Sequence, residues 1–414
     1  MSQPGKWDLS SHSAPRPDGA DPRWLVMVFM GAEGVEGDAD LSGEADDDIV
    51  EMERVGKSDT LNIFVQLHRK GRVERRHIGH GARPTDNEAA DATSGKALTS
   101  FIADSIVASG HHPSDHSLLV LWGHAYRFGI GPQTTRHGVD ALDFAELASV
   151  LRSFQDEHRS THPEFYKEDE KPKLDIVAFD ACDLASIEMA YQLYPFARYL
   201  LASQIGIPLP GWPYDSVLDR LKNPKGRVMG PAELGSYIAR RFCAKYAADD
   251  RMVSLSMLDL QRAPKLFELT EALARRLAIA VSHDSDELRL VHDLFLRART
   301  PDKRPFVDVA ALCLDLMRNC GSDDVVRAAM ELGDVLITPH PDAGGGSATG
   351  AGRPFVVENC RNSAETAGLH GVSLYAPHVS NNHDWEGASH FYEKFAFARE
   401  TLWSALVHAL ALPD

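Results

Sequence analysis

Residues 174–183 read LDIVAFDACD, an apolar run from Leu174 to Phe179 followed by Asp180, Ala181, Cys182 and Asp183. A short run rich in β-branched and aromatic residues is the signature of a strand covered on both faces. The next segment, Leu184 to Leu193, has helical spacing. The cysteine is therefore expected where a strand gives way to a helix, a place where sites form in open α/β sheets. Comparable runs recur at Trp24 to Met30, Leu61 to Leu67, Leu118 to Trp122, Tyr199 to Ser203 and Met252 to Leu258. Helical spacing fills Ala97 to Ala108, Phe144 to Phe154 and Ala232 to Ala244 between them. Alternating strands and helices predict an α/β fold: a mostly parallel sheet, right-handed crossovers, and helices on both faces.

The third quarter changes character. Lys265 to Val281, Asp286 to Ala298, Val307 to Met317 and Asp323 to Leu336 all show the helical period, which predicts a helical insertion in the C-terminal half. The expected organisation is a disordered tail over 1–22, an α/β core over 23–262 and a helical subdomain over 263–340. A flexible glycine-rich loop over 341–354 follows, and a strand (HGVSLYAP, 370–377) and a helix (Phe391 to Leu410) within 355–414 complete the core.

With 414 residues and 43% hydrophobic composition the chain can bury a large core. Its net charge of −17 is spread along the chain, which argues against a nucleic-acid partner. No segment reaches the roughly 18 apolar residues of a membrane helix, and the first residues lack the apolar core of a signal peptide, so a cytoplasmic protein is expected. The cysteines (182, 243, 313, 320 and 360) are scattered, without a C-x-x-C pair, which argues against a disulfide framework or a zinc ribbon. Asp38, Asp40, Ser42 and Gly43 start like a calcium loop, but the twelfth position is Ile49 where a bidentate glutamate is needed. A solvated acidic loop leading into a helix is the plainer reading. No metal site or cofactor is expected, and a calcium requirement has no specific motif behind it.

A thiol at a helix N-terminus has a lowered pKa, which favours the nucleophilic thiolate. It also needs a general base, normally a histidine carried on another element. Of 19 histidines, His124 stands out, because LLVLWGHAY (118–126) sets it just past a strand, at the same sheet edge as Cys182. Taken alone, Cys182 reads as a buried core thiol and His124 as a strand cap. At matching strand ends they read as a catalytic pair.

These motifs resemble those of the clostripain-like cysteine peptidases, which have the caspase fold. LVLWGHA resembles that family's Trp-Gly/Asn-His-Gly motif, and LDIVAFDACDLASIEMAYQL its Asp-Ala-Cys-Leu-Met motif with the helix that follows. Further landmarks occur in the expected order: IVEMERVGKSDTLNIFVQLHR (49–69), ASQIGIPLPGWPYDSVL (202–218), GVSLYAP and FAFARETLW (397–403). The resemblance implies a cysteine endopeptidase in which Cys182 attacks the peptide carbonyl and His124 handles the proton transfers. The backbone amides of Cys182 and Ala125 would form the oxyanion hole; Ala125 stands where the family has glycine, which is harmless if its φ is negative. Asp180 matches the aspartate lining the specificity pocket, so cleavage after Arg, or Lys, is expected. As a bland alternative, Asp180 caps a helix beginning near residue 183. Gln204, Ile205 and Gly206 replace acidic residues of the family pattern. Asp183 is expected in the first helical turn, directed to solvent where the helix dipole favours it.

Related enzymes are precursors cut between the two motifs. The polar, mobile-looking stretches 127–138 and 155–173 offer Arg136, Arg159, Lys167 and Lys171 as cut sites. The resemblance thus implies a latent protease activated by itself or by an upstream protease, suited to bacterial defence or cell death, with basic peptides or proteins as its partners. A catalytically impaired caspase-fold scaffold and a non-proteolytic thiol enzyme such as an acyltransferase are the rival readings.

Overall fold

All eight residues of β1 (Trp24–Gly31) are buried, as are all seven of β9 (Leu174–Asp180). Strands apolar on both sides must be covered on both sides, and the chain forms such a covered sheet. The computed structural model describes residues 21–35, 37–80, 82–85, 93–112, 114–126, 128–135, 138–161, 171–283, 285–302, 305–337, 354–376 and 391–411. The tail expected over 1–22 lies outside these residues except for its last two, and the glycine-rich loop except for Pro354.

The chain divides into two compact units. One comprises residues 1–182, 195–198 and 208–245, the other 183–194, 199–207 and 246–414. In the first, β1 pairs in parallel with β2 (Leu61–Arg69) on one side and β5 (His116–Gly123) on the other, and β5 pairs in parallel with β9. Two antiparallel strands, β3 (Arg72–His77) and β4 (Ala82–Thr85), follow β2. The order is β9-β5-β1-β2-β3-β4. The chain begins in the middle of this sheet and places later strands on opposite sides, so the loops after β1 and β5 diverge at the carboxyl ends of the strands, a topological switch point. Helices α1 (Ser42–Val55), α2 (Gly95–Ser109), α3 (Phe144–Thr161), α5 (Tyr214–Lys222) and α6 (Pro231–Lys245) supply the cover; α1 packs with α5 and α2 with α3. A small antiparallel sheet of β6 (Ala125–Tyr126), β7 (Gly129–Thr135) and β8 (Gly138–Asp143) leaves from the end of β5.

In the second unit β11 (Ser254–Asp259) lies between β10 (Ala197–Ala202) and β13 (Val356–Arg361), antiparallel to both. A separate two-stranded sheet joins β12 (Phe306–Asp308) to β14 (Ser373–Tyr375). Helices α4 (Ile187–Leu193), α7 (Ala263–His283), α8 (Ser285–Arg297), α9 (Val309–Asn319) and α10 (Asp323–Ile337) belong here, so the helices expected over 263–340 are present.

Three expectations are corrected. Of the stretch 127–138, residues 129–135 form a strand paired with β8, because a polar, glycine-containing segment can pair with its neighbour where it crosses other backbone. The helix expected from Phe391 to Leu410 is two, α11 (Ala396–Glu400) and α12 (Trp403–Ala411). Thr401 between them is extended, and its hydroxyl donates to the Phe397 carbonyl at 2.8 Å, offering the backbone an alternative to continuing the helix. The strand at 373–375 pairs with β12, whose residues overlap the start of an expected helix; Asp308 ends the strand and caps α9, accepting from the Ala311 amide.

Candidate active site

The register between β5 and β9 decides where the two motif residues fall. Trp122 lies opposite Asp180 in a parallel pair, and parallel neighbours are about 4.8 Å apart. His124 and Cys182 each follow two residues later, so they leave the same edge of the sheet from adjacent strands.

Glycine makes this edge possible. Gly123 has φ +138, and a Cβ there would lie 2.3 Å from the Gly31 carbonyl oxygen. A Cβ on Gly31 would in turn stand 2.6 Å from the Gly131 Cα. The ends of β1 and β5 and the crossing strand β7 thus approach with no room for side chains, and the chain is turned at Gly123 to present His124. The His124 Nε2–H donates to the Ala39 carbonyl at 2.8 Å in the loop after β1. A carbonyl can only accept, so Nε2 carries the proton and Nδ1 is the basic nitrogen of the neutral ring.

Ala125 opens β6. The His124 carbonyl accepts from the Gly131 amide at 3.0 Å. In a trans peptide the next N–H points the opposite way, so the Ala125 amide faces out of the hairpin. Ala125 is not among the positive-φ residues, which among the described residues are, besides glycines, Phe128 and Asp183; alanine therefore serves there without strain.

Beyond Cys182 the expected geometry is corrected. Helix α4 starts at Ile187, capped by Ser186, whose Oγ accepts from the Met189 amide at 3.2 Å. Residues 182–183 form a turn and 184–186 are not helical: the Asp183 amide donates to the Ile205 carbonyl, the Ala185 amide to the Ser203 carbonyl, and the Ala185 carbonyl accepts from the Ser373 amide. Cys182, partly exposed and in no disulfide, is thus not at the N-terminus of α4. Asp183 is no solvent-directed first-turn residue either; it is 7% exposed, with φ 60. Aspartate is one of the few side chains that tolerate this left-handed conformation.

Asp180 caps no helix. Buried at the end of β9, it accepts at Oδ2 from the Trp212 amide (3.2 Å) and the Tyr214 hydroxyl (3.1 Å). Gly211, with φ +51, brings the backbone in close: a Cβ there would stand 3.0 Å from Oδ2. Burial raises the Asp180 pKa to about 7, against the lowering effects of these two hydrogen bonds and of Lys245. A second buried carboxylate, Asp48 on α1, accepts from Trp122 Nε1–H at 2.8 Å. Burial, then Asp180, pushes its pKa to about 9. Sequence reasoning missed Asp48, although it shares the apolar face of α1 with Ala45, Ile49, Met52 and Val55.

Gln204 is a buried scaffold residue: its Nε2 donates to Asp308 Oδ2 (2.9 Å) and Ser373 Oγ (3.0 Å), and its Oε1 accepts from the Gly371 amide (2.6 Å). Of the proposed cut sites, Arg159 lies in the last turn of α3 and Lys171 is exposed ahead of β9, while Arg136 and Lys167 lie outside the described residues. Asp38 and Asp40 belong to an exposed loop, with Asp40 Oδ1 accepting from the Ser42 amide at the start of α1.

A comparison with curated proteins returned no match. Among solved structures, the chain is similar to a secreted C11 cysteine protease from Bacteroides thetaiotaomicron in complex with an irreversible peptide inhibitor, at TM-score 0.56 and 18% identity over 91% of this chain and 99% of that one. It is similar also to an inactive zymogen C11 protease from Parabacteroides distasonis, at TM-score 0.54 and 16% identity over 92% and 98% of the two chains. At such identities the likeness shows a shared, caspase-like fold. The family model described as the clostripain family matches residues 35–313, about two thirds of the chain. With that match the histidine and cysteine at the paired strand ends have their context, and the chain belongs to the clostripain family of cysteine peptidases.

Proposed function

We propose that the chain is an endopeptidase that cleaves after basic residues, Arg above Lys, using His124 and Cys182. The observation that carries this is the β5–β9 register, which sets the two residues on adjacent strand ends, with His124 held through Nε2 and its Nδ1 left basic. In the reaction, Nδ1 takes the Cys182 proton as Sγ attacks the scissile carbonyl carbon. The Cys182 and Ala125 amides stabilise the oxyanion. As the C–N bond breaks, His124 returns the proton to the departing amine, leaving a thioester; water, deprotonated by His124, then releases the acid and restores the thiol. Asp180, buried and bonded to Trp212 and Tyr214, would pair with the substrate guanidinium.

Latency is the second part of the proposal. A similar structure is described as an inactive zymogen, and the interval between His124 and Cys182 carries basic residues, Lys171 among them exposed. Cutting there, by the enzyme itself or by an upstream protease, would release activity in a defence or cell-death response. Five cysteines, none in a disulfide, suit a reducing, cytoplasmic setting, although the Bacteroides protease is described as secreted. No helix of the described residues is long and apolar enough to cross a membrane.

The test uses wild-type, Cys182→Ala and His124→Ala proteins with peptides bearing Arg, Lys, Asp or Leu before the scissile bond. Cleavage after Arg or Lys in the wild type alone is expected. A preference for Asp or Leu overturns the pocket assignment, and no cleavage after deliberate nicking favours an inactive scaffold. Mass spectrometry showing a fully active chain intact between residues 124 and 182 would sink the latency.

A further inference from the structure

Asp48 is a buried carboxylate for which the reaction above has no use. It is 5% exposed, as is Asp180. Trp122, whose indole N–H it accepts, is the register partner of Asp180, and register partners leave a sheet on the same face. Helix α1, which carries Asp48, is tied to α5, which carries Tyr214: the Asp215 amide donates to Glu51 Oε2 at 3.3 Å, and Arg54 pairs with Asp215 at 3.4 Å. Tyr214 in turn donates to Asp180. The two carboxylates therefore occupy one layer, between the end of β9 and the α1–α5 pair.

The charges facing that layer do not balance. On the acidic side are Asp48, Asp180 and the half-buried Glu51, which acts on Asp48 and Tyr214. Tyr214, pushed far up by burial and by these acids, stays neutral. Among the described residues, the cation acting on both aspartates is Lys245 of α6. Its Nζ, however, donates to the carbonyls of Pro210 (2.6 Å), Gly211 (3.2 Å) and Trp212 (3.3 Å), bracing the loop that covers Asp180. Two buried carboxylates served by one ammonium so engaged need a further positive charge, either a proton or a cation brought by a ligand. A planar guanidinium, with five N–H donors in a fixed fork, can serve two carboxylates at once; a lysine ammonium is a single point charge.

We infer that Asp48 is the second carboxylate of the basic-side-chain pocket, so that the substrate guanidinium is held between Asp180 and Asp48 and its arrival expels the proton the pair holds when the pocket is empty. The balance is one proton to solvent for each guanidinium bound, with no bond made or broken on the protein but the O–H. This deepens the assignment of Asp180 to the pocket and rests on it.

The test compares wild type, Asp48→Asn and Asp180→Asn on matched Arg and Lys peptides across pH, with active sites counted by thiol alkylation so that any misfolded fraction is excluded. The side-chain amide introduced by Asp48→Asn retains an acceptor for the Trp122 indole. For Asp48→Asn the expected result is a fall of about ten-fold or more in kcat/KM for Arg, carried by KM, a smaller fall for Lys, and a collapse of the Arg-over-Lys preference. In a Cys182→Ala background, calorimetry in buffers of different ionisation heat would show proton release on binding an Arg peptide, and Asp48→Asn would remove it. If Asp48→Asn keeps the Arg preference and the proton release while Asp180→Asn abolishes Arg cleavage, Asp48 is structural and the inference is wrong. If Asp180→Asn also cleaves after Arg normally, the pocket assignment itself has failed.

Discussion

Asp180 shows how burial turns one side chain into a reporter of substrate charge. Because desolvation lifts its pKa to about 7, it is only partly ionised near neutrality and must lose its proton to pair with a guanidinium. The ratio of kcat/KM for an Arg peptide over its uncharged citrulline analogue cancels titration of the Cys–His pair. That ratio should rise as pH passes through about 7 in the wild type and stay low near pH 7 in Asp180→Asn. A flat wild-type ratio would remove Asp180 from the pocket. Gly123 makes a different point: with φ +138 and the Gly31 carbonyl 2.3 Å from any Cβ, alanine must push β1 and β5 apart where His124 is aimed. Gly123→Ala is expected to cost at least about 1–3 kcal/mol of stability and to lower kcat far more than a surface Gly→Ala such as Gly226→Ala, as thermal melts and peptide cleavage will show.

At the scale of elements, the second unit contains a polar junction whose strength depends on pH. Asp308, at the end of β12, accepts from the Ala311 and His370 amides and from Gln204, and its Oδ1 lies 2.9 Å from His370 Nδ1. That bond raises the His370 pKa above its ordinary value, against burial. A histidine whose folded pKa is raised contributes stability that is fully present below its unfolded pKa, near about 6.5, and is lost as pH climbs through the higher folded value. The melting-temperature gap between wild type and His370→Gln should therefore be wider at about pH 5.5 than at about pH 8.5; a gap that widens with pH would contradict the pairing. Elements with one strong local pattern were legible in the sequence. Every run read as a strand became one, to within a few residues at each end, since continuous apolar runs have no stable place but a covered sheet. The polar strands β6–β8 were not legible, because their pairing is made by glycine-lined approach to β1 and β5 and not by their own hydrophobicity. Nor was the late start of α4: the Asp183 and Ala185 amides donate to the Ile205 and Ser203 carbonyls and the Ala185 carbonyl accepts from the Ser373 amide, and those partners are remote in sequence.

For the whole molecule, the topology bears on activation. The interval between the two motif residues connects β5 to β9, and these are paired neighbours across Leu118–Trp122 and Ile176–Asp180. A cut between His124 and Cys182 therefore opens the connection without unpairing the strands, whose shared apolar face stays buried. The nicked enzyme is expected to give two bands on a denaturing gel and one peak at the intact mass on size exclusion, with activity retained. Separation of the fragments without denaturant would show that β5–β9 pairing does not hold them. The residue types and spacings of this chain sufficed to determine an α/β sheet, its buried strands, a histidine and a cysteine at strand ends and the family resemblance, because all are local patterns of period and order. Tertiary structure alone decided that those strand ends are neighbours, that Cys182 sits in a turn ahead of a non-helical stretch and not at a helix start, and that Asp48 from α1 faces the same layer as Asp180. Each of those depends on burial and register between segments far apart in the chain, which no local pattern encodes.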